Sequence, residues 1–317
     1  MKEIIQEIFS RHSLGQVKEY SALKGGTFNS VYKVSTEKGE YAIKIAGDPE
    51  KEVLTYEKGL IETEAKVYGL LQNTEGGYFP KLHGYNYGNE YGHKYIIMDF
   101  VDGTLLNKTK LSKAQYDEVM RSLGKAMAEI HRIKGEGYGY MQCGLKNTMK
   151  EAYLSMTDNL MKDARRRVKD IPYADRVKAA IEKNASAFDS VTAPVLTHFD
   201  LWGGNIVVKD SKLSALIDCE RAMFGVAEGD FISLDYLAPF DKEKSKALLE
   251  GYNSASEEKL TFEGDSLKRF YLMRLQLGLI VFTESHYRYA KLSPMYIGSK
   301  LYGRQVIKNA LKGLGEK

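Results

Sequence analysis

Cysteine is scarce in this 317-residue chain, and so are net charge and long apolar runs. Its only two cysteines, Cys143 and Cys219, cannot build a disulfide framework, which points to a reducing cytoplasm. A formal charge of only +4 makes no case for nucleic acid or an anionic membrane as the main partner. No apolar run approaches the ~18 residues of a membrane span. The start, "MKEIIQEIFSRH", carries acidic residues on an amphipathic pattern and does not read as a signal peptide. There is no internal repeat and no low-complexity linker. What remains is an ordinary globular composition, 43% hydrophobic and 28% charged, with one oddity. Twenty-two tyrosines suit surfaces that recognise ligands of mixed polarity.

The length favours two lobes over one. Residues 18–48 and 81–101 alternate as short strands with glycine turns. "VYKVSTEKGEYAIKIA" reads as two strands around Lys38-Gly39, and "HKYIIMDFV" as another. Between them, 52–72 reads as helix. After Gly103 the pattern turns helical. Ser112 is placed to cap a long helix closed by Gly135, and 150–169, 173–188, 242–253, 264–291 and 296–315 follow as helices. The expected architecture is α+β, with a small antiparallel-sheet lobe over 1–102, a larger helical lobe over 103–317, and a hinge at "MDFVDG", 98–103.

The stretch "LTHFDLWGGNIVV", 196–208, sets His198, Asp200 and Asn205 on one loop that stops at a strand. Ile206-Val207-Val208 and Ala215-Leu216-Ile217 are two strands joined by a polar turn. A hairpin brings the start of one beside the end of the other, which sets Asn205 next to Asp218. An amide oxygen and a carboxylate converging there form a hard-oxygen site suited to Mg²⁺. Asp200, five residues before Asn205, can face that site and accept a hydroxyl proton during phosphoryl transfer. The plainer alternative is a turn whose Asx side chains only cap their own backbone. For His198 the plainer reading, a satisfied core residue, is preferred to a base.

"HFDLWGGN" followed by "IDCE" resembles the catalytic loop and metal-binding Asp of the aminoglycoside phosphotransferase and choline kinase-like superfamily, small-molecule relatives of the protein kinases. The Asp-Leu-Trp-x-Gly-Asn core is also similar to fructosamine kinases. The resemblance spans about 18–240. It implies a two-lobed protein-kinase-like fold with Asp200 as catalytic base, Asn205 and Asp218 as Mg²⁺ ligands, and His198 as a brace for the loop. It departs at Phe199, where many relatives carry glycine, and at Cys219-Glu220. In "LKGGTFNSVYKV", Gly25 and Gly26 can bring backbone N–H groups close to phosphate oxygens, although two glycines also make a plain hairpin turn. Lys44 of "YAIK" would then reach the α- and β-phosphates. Its implied partner is Glu64, a carboxylate within the apolar stripe Leu60, Val67, Leu71, costly there unless paired; Glu57 is a rival. The carbonyl of Asp99 and the amide of Val101 would meet the adenine edge. Asp230, in "GDFISLDYL", can cap a helix that starts there and can also bind backbone N–H groups of the catalytic loop.

The expected function is transfer of the γ-phosphate of ATP or GTP, with Mg²⁺, to a small-molecule hydroxyl, as in the aminoglycoside phosphotransferase family, in a monomer or weak dimer. A metabolite kinase of fructosamine, choline, homoserine or methylthioribose type is the alternative within enzymes. A silent pseudokinase or binding module is the alternative outside them. A polycationic acceptor would sit among carboxylates, for which Glu228, Asp158, Asp235 and Glu284 are candidates, beneath a lid from 150–188 or 264–291.

Overall fold

The structure is a computed structural model that describes residues 1–23, 29–48, 50–88, 93–233 and 241–316. Gly25, Gly26 and Asp235 therefore lie outside the described residues.

Helix α1 (Lys2–Arg11) buries Ile5, Ile8 and Phe9, the i, i+3, i+4 spacing of one helix face. It covers one side of an antiparallel sheet built from β1 (Val17–Leu23), β2 (Ser30–Thr36) and β3 (Glu40–Ile45). Helix α2 (Leu60–Leu71) intervenes before β4 (Leu82–Tyr87) and β5 (Lys94–Asp99) complete the sheet, in the order β1-β2-β3-β5-β4. Side chains of a strand alternate between faces, so β5 feeds two cores. Tyr95 and Ile97 pack with α1, while Ile96 and Met98 join α2 and the long core of the second half.

The sequence pattern over 52–72 suggests one helix, but the structure breaks it. Residues 55–57 form a single tight turn that the Glu57 carboxylate closes by accepting from the Leu54 N–H at 2.8 Å. Gly59 then takes φ +80° ahead of α2, a left-handed conformation that glycine adopts without penalty.

In the second half, β6 (Thr104–Leu105) precedes α3 (Lys113–His131), whose Ser112 cap and Gln115 form a reciprocal capping box. Then come α4 (Met149–Arg167), α5 (Ala174–Asn184) and β7 (Val195–Thr197). The helix expected over 173–188 tightens into a 3₁₀ turn at 185–188. Strands β8 (Ile206–Lys209) and β9 (Lys212–Leu216) form the expected hairpin, with β6 added to its edge. Asp210 and Ser211 both have positive φ, 50° and 60°, the turn geometry that matches strand twist. Strand β10 (Met223–Gly225) pairs with β7. Helices α6 (Lys246–Ala255), α7 (Gly264–Arg288) and α8 (Pro294–Gly313) follow. Helix α7 is buried at nearly every position from Phe270 to Ser285 and is the central post of this half. No described helix is long and apolar enough to cross a membrane.

Candidate active site

The loop between β7 and β8 is held from beneath. Phe199 has φ +61° and no exposure, a left-handed backbone that costs a side-chain-bearing residue roughly 1–2 kcal/mol. The fully buried Asp230 carboxylate stabilises that shape. It accepts from the backbone N–H of His198 at 3.0 Å and of Phe199 at 2.6 Å. The His131 Nε2 of α3 lies 3.0 Å from the same carboxylate, and its Nδ1 lies 3.0 Å from the Tyr252 hydroxyl of α6. Asp230 sits inside a 3₁₀ turn, 227–231, and both carboxylate oxygens are spent on the loop and His131. The helix-capping role read from the sequence is thus replaced by this bracing of the loop. His198 Nε2 donates to the Ile217 carbonyl at 3.0 Å, which ties the loop to the end of β9. Burial lowers the pKa of His198, keeping it neutral.

The hairpin draws the polar residues together. The Ile217 N–H donates to the Asn205 carbonyl at 3.0 Å, so Asp218 leaves β9 beside the start of β8. Asn205 Nδ2 donates to both the carbonyl (2.9 Å) and the carboxylate (3.0 Å) of Asp200. The other Asp200 oxygen accepts from Arg221 at 3.1 Å. Burial pushes the Asp200 carboxyl up to about 7; Arg221 opposes this, and Asp218, Glu284 and Glu220 add to it.

Lys44 on β3 lies 2.7 Å from each of Glu64, Asp218 and Glu220. Its partner on α2 is thus Glu64, whereas the rival Glu57 pairs with Arg288 at 2.7 Å. Burial alone would lower the pKa of Lys44, but the three carboxylates raise it well above its usual value. Burial outweighs Lys44 at Glu64 and pushes that carboxyl to about 8. At Asp218 the ammonium outweighs burial, and the carboxyl stays below its usual range.

Even with Glu64 protonated, Asp218 and Glu220 leave surplus negative charge against one ammonium, and one oxygen from each of Glu64, Asp218 and Glu220 falls within 4.8 Å of the others. Such a set suits a hard divalent cation. The Asn205 backbone lies beside Ile217, the residue before Asp218, and because its planar amide gives the nitrogen to Asp200, the amide oxygen faces away from Asp200. The donor chemistry therefore fits Mg²⁺.

Behind Asp200 runs a buried chain of charges. Arg221 contacts Glu284 at 2.6 Å, and Glu284 contacts Arg288 at 2.8 Å and the Tyr56 hydroxyl. Of the described carboxylates expected for a cationic acceptor, only Glu284 is near Asp200, and it is already paired with two arginines. Glu228 is buried against Arg269 at 2.8 Å, and Asp158 pairs on the surface with Lys162 at 2.6 Å. At the hinge, Asp99 ends β5, its side chain accepting from the Lys81 N–H at 3.1 Å and contacting His83 at 2.5 Å; Val101 follows in the connection. The sequence reading missed Glu220, Arg221, His131 and Tyr252. Only Glu220 offered a signal, two residues beyond Asp218. The others gain meaning from partners tens of residues away.

The phosphotransferase enzyme family matches residues 19–270. No curated protein matches the chain in sequence. Among solved structures, a candidate aminoglycoside phosphotransferase from Ralstonia eutropha JMP134 is similar at 15% identity and TM-score 0.71, covering 99% of this chain and 98% of that one. A candidate fructosamine-3-kinase from Thermobifida fusca YX-ER1 is similar at 17% identity and TM-score 0.68, covering 97% and 99%. A thermostable aminoglycoside phosphotransferase mutant in ternary complex with ADP and hygromycin B is similar at 13% identity and TM-score 0.70, covering 99% and 98%. At such identities the likeness establishes the two-lobed kinase-like fold.

Proposed function

The chain belongs to the phosphotransferase enzyme family, and we propose that it is a small-molecule kinase moving the terminal phosphoryl group of ATP or GTP to an acceptor hydroxyl. The observation that carries this reading is the convergence of Lys44, Asp218 and Asn205 beside a buried Asp200. Asp200 accepts the hydroxyl proton as the acceptor oxygen bonds to the γ-phosphorus. The bond from that phosphorus to the bridging oxygen breaks, and the nucleoside diphosphate leaves with the electron pair. Arg221 and Asn205 fix the Asp200 carboxylate, and a held group reacts without paying orientation entropy at each turnover. Lys44, oriented by Glu64, contacts the α- and β-phosphates, and the Asp99 carbonyl and Val101 amide take the adenine edge. Asp218 and Asn205, with Glu220 beside them, would hold Mg²⁺, which neutralises charge on the phosphate oxygens. His198 and Asp230 keep the loop in shape.

For the acceptor, we favour a neutral or weakly charged hydroxyl compound. Among the described residues, Glu284 is the expected carboxylate that reaches Asp200 through Arg221, and it is already paired with Arg221 and Arg288. A polycationic aminoglycoside is the second reading, supported by the fold of the relatives. Salt separates the two, because attraction of a polycation is screened and weakens as ionic strength rises. The test is nucleotide turnover by the purified protein over ketoamine, choline, macrolide and aminoglycoside acceptors. Asp200→Asn should lower kcat roughly 10²–10⁴-fold while nucleotide still binds. Near-normal turnover in that variant would remove Asp200 as the base, and no turnover with any acceptor would favour a binding module.

A further inference from the structure

The charge of +4 hides an uneven distribution. Between residues 285 and 315 the chain has six of its 46 lysines and arginines and none of its 42 acidic residues. Arg288 is consumed by Glu57 and Glu284. The other five, Lys291, Lys300, Arg304, Lys308 and Lys312, form no ion pair among the described residues. Apolar exposure is concentrated in the same place. Of the twelve large apolar side chains that stand out into solvent among the described residues, four fall within ten positions: Leu292 (82% exposed), Met295 (61%), Ile297 (46%) and Leu301 (58%). Scattered exposed apolar residues need no explanation, but a clustered set rimmed by polar residues marks an interaction site.

Helical geometry joins the two features. On α8, Ile297, Leu301, Arg304 and Lys308 recur every three or four residues and share one face, opposite the buried Gly303, Val306 and Ala310. Beside that face lies a groove of about 360 Å³, with Val168, Ile171, Pro172 and Phe282 as its apolar lining and Lys169, Lys300 and Arg304 at its charged edge. Asp170 is its one acidic lining residue. A purely solvated helix face would not put its largest apolar side chains outward, and a cationic protein partner would find Asp170 as the one counter-charge in the groove.

We propose that this end of the molecule, the α7–α8 turn and the outer face of α8, is a docking surface for an anionic phospholipid bilayer. Leu292, Ile297 and Leu301 enter the boundary between headgroups and acyl chains. Lys291, Arg304 and Lys308 meet the lipid phosphates. The groove between Lys169 and Lys300 receives one headgroup. This combination of apolar insertion and basic rim is how a helix lies on a membrane without spanning it. It would hold the kinase at a surface while leaving the cleft around Asp200 free.

The test is co-sedimentation of the full chain with phosphatidylcholine vesicles, with and without phosphatidylglycerol. Binding should require phosphatidylglycerol and weaken as salt rises. Lys300→Gln with Arg304→Gln should weaken it roughly fivefold for each charge removed, and Ile297→Ser with Leu301→Ser by about tenfold or more. Both variants should stay close to the wild-type unfolding temperature, since Ile297, Leu301 and Arg304 are exposed and Lys300 is only half-buried. Equal partition onto the two vesicle types, or wild-type binding by the serine variant, overturns the proposal. So does a dimer that the serine variant splits and that ignores vesicles, because the patch then belongs to a second copy.

Discussion

At the scale of single residues, the site balances burial against neighbouring charge. As the proposed base, Asp200 works only when ionised, and burial pushes its carboxyl up to about 7. Turnover should therefore fall as pH drops below about 7 and the carboxylate takes up its proton. Arg221 favours the ionised form, so Arg221→Gln should move this acidic limb to higher pH, whereas Arg221→Lys, keeping the charge, should move it less. A pH profile of kcat/KM for the acceptor checks both, and an unmoved limb in Arg221→Gln would show that the guanidinium does not act on Asp200. Phe199 poses a conflict that magnitudes resolve. Its left-handed backbone costs roughly 1–2 kcal/mol, and glycine would remove that strain. The ring, however, is fully buried and packs edge-on near Tyr140. Emptying a buried Phe site costs about 3–5 kcal/mol. Phe199→Gly should thus be net destabilised by about 1–4 kcal/mol in denaturant unfolding, even though glycine suits the backbone better.

At the scale of elements, the contact between α3 and α6 links folding to the site. A Cβ on Gly124 would lie 2.2 Å from the Leu248 carbonyl oxygen and 2.4 Å from the Tyr252 nitrogen, so the two backbones touch through this glycine. The neighbours are backbone and cannot rotate away, so Gly124→Ala should cost about 3 kcal/mol. Because Tyr252 of α6 holds His131 of α3, which holds Asp230, kcat should fall along with the melting temperature; a loss of stability with kcat intact would separate the helix contact from the loop. This link also shows where reading a sequence stops. The β8–β9 hairpin, its loop and the Lys44 strand were legible because period-2 alternation and a short turn place Asn205 beside Asp218 within fourteen residues. The break before α2 was not, since Leu54 and Ile61 stand seven residues apart as on one helix face, while Glu57 and Gly59 close a separate turn between them. Nor was the support for the loop: His131 and Asp230 meet across 99 positions and Arg221 and Glu284 across 63, where no local period carries information. Asp230 was therefore expected as a cap as well as a loop ligand, and only the packing of α3 against the loop reveals where its oxygens are used.

At the scale of the whole molecule, the proposed nucleotide cleft belongs to neither half alone. Lys44 comes from the sheet, Glu64 from α2, and Asp218 and Glu220 from beyond β9, and they meet within 2.7 Å contacts. A ligand bound there stabilises the folded chain as a unit. At a hundred times its Kd, such a ligand adds about 2.7 kcal/mol, which for a chain of this size raises Tm by about 4 °C. The surplus of carboxylates at Lys44 decides how this depends on metal. A bare triphosphate meets Asp218 and Glu220 as like charges, whereas a triphosphate with Mg²⁺ brings the cation they lack. ATP with Mg²⁺ should therefore give a clear thermal shift, and ATP with a chelator a much smaller one. Replacing both acids, Asp218→Asn with Glu220→Gln, should reverse the pattern. The Mg²⁺-dependent part of the shift should vanish while the metal-free part grows, because the repulsion has gone. Equal shifts with and without Mg²⁺ in the wild-type chain would show that the carboxylates around Lys44 hold no metal with the nucleotide, and that their charge serves only to join the two halves through Lys44.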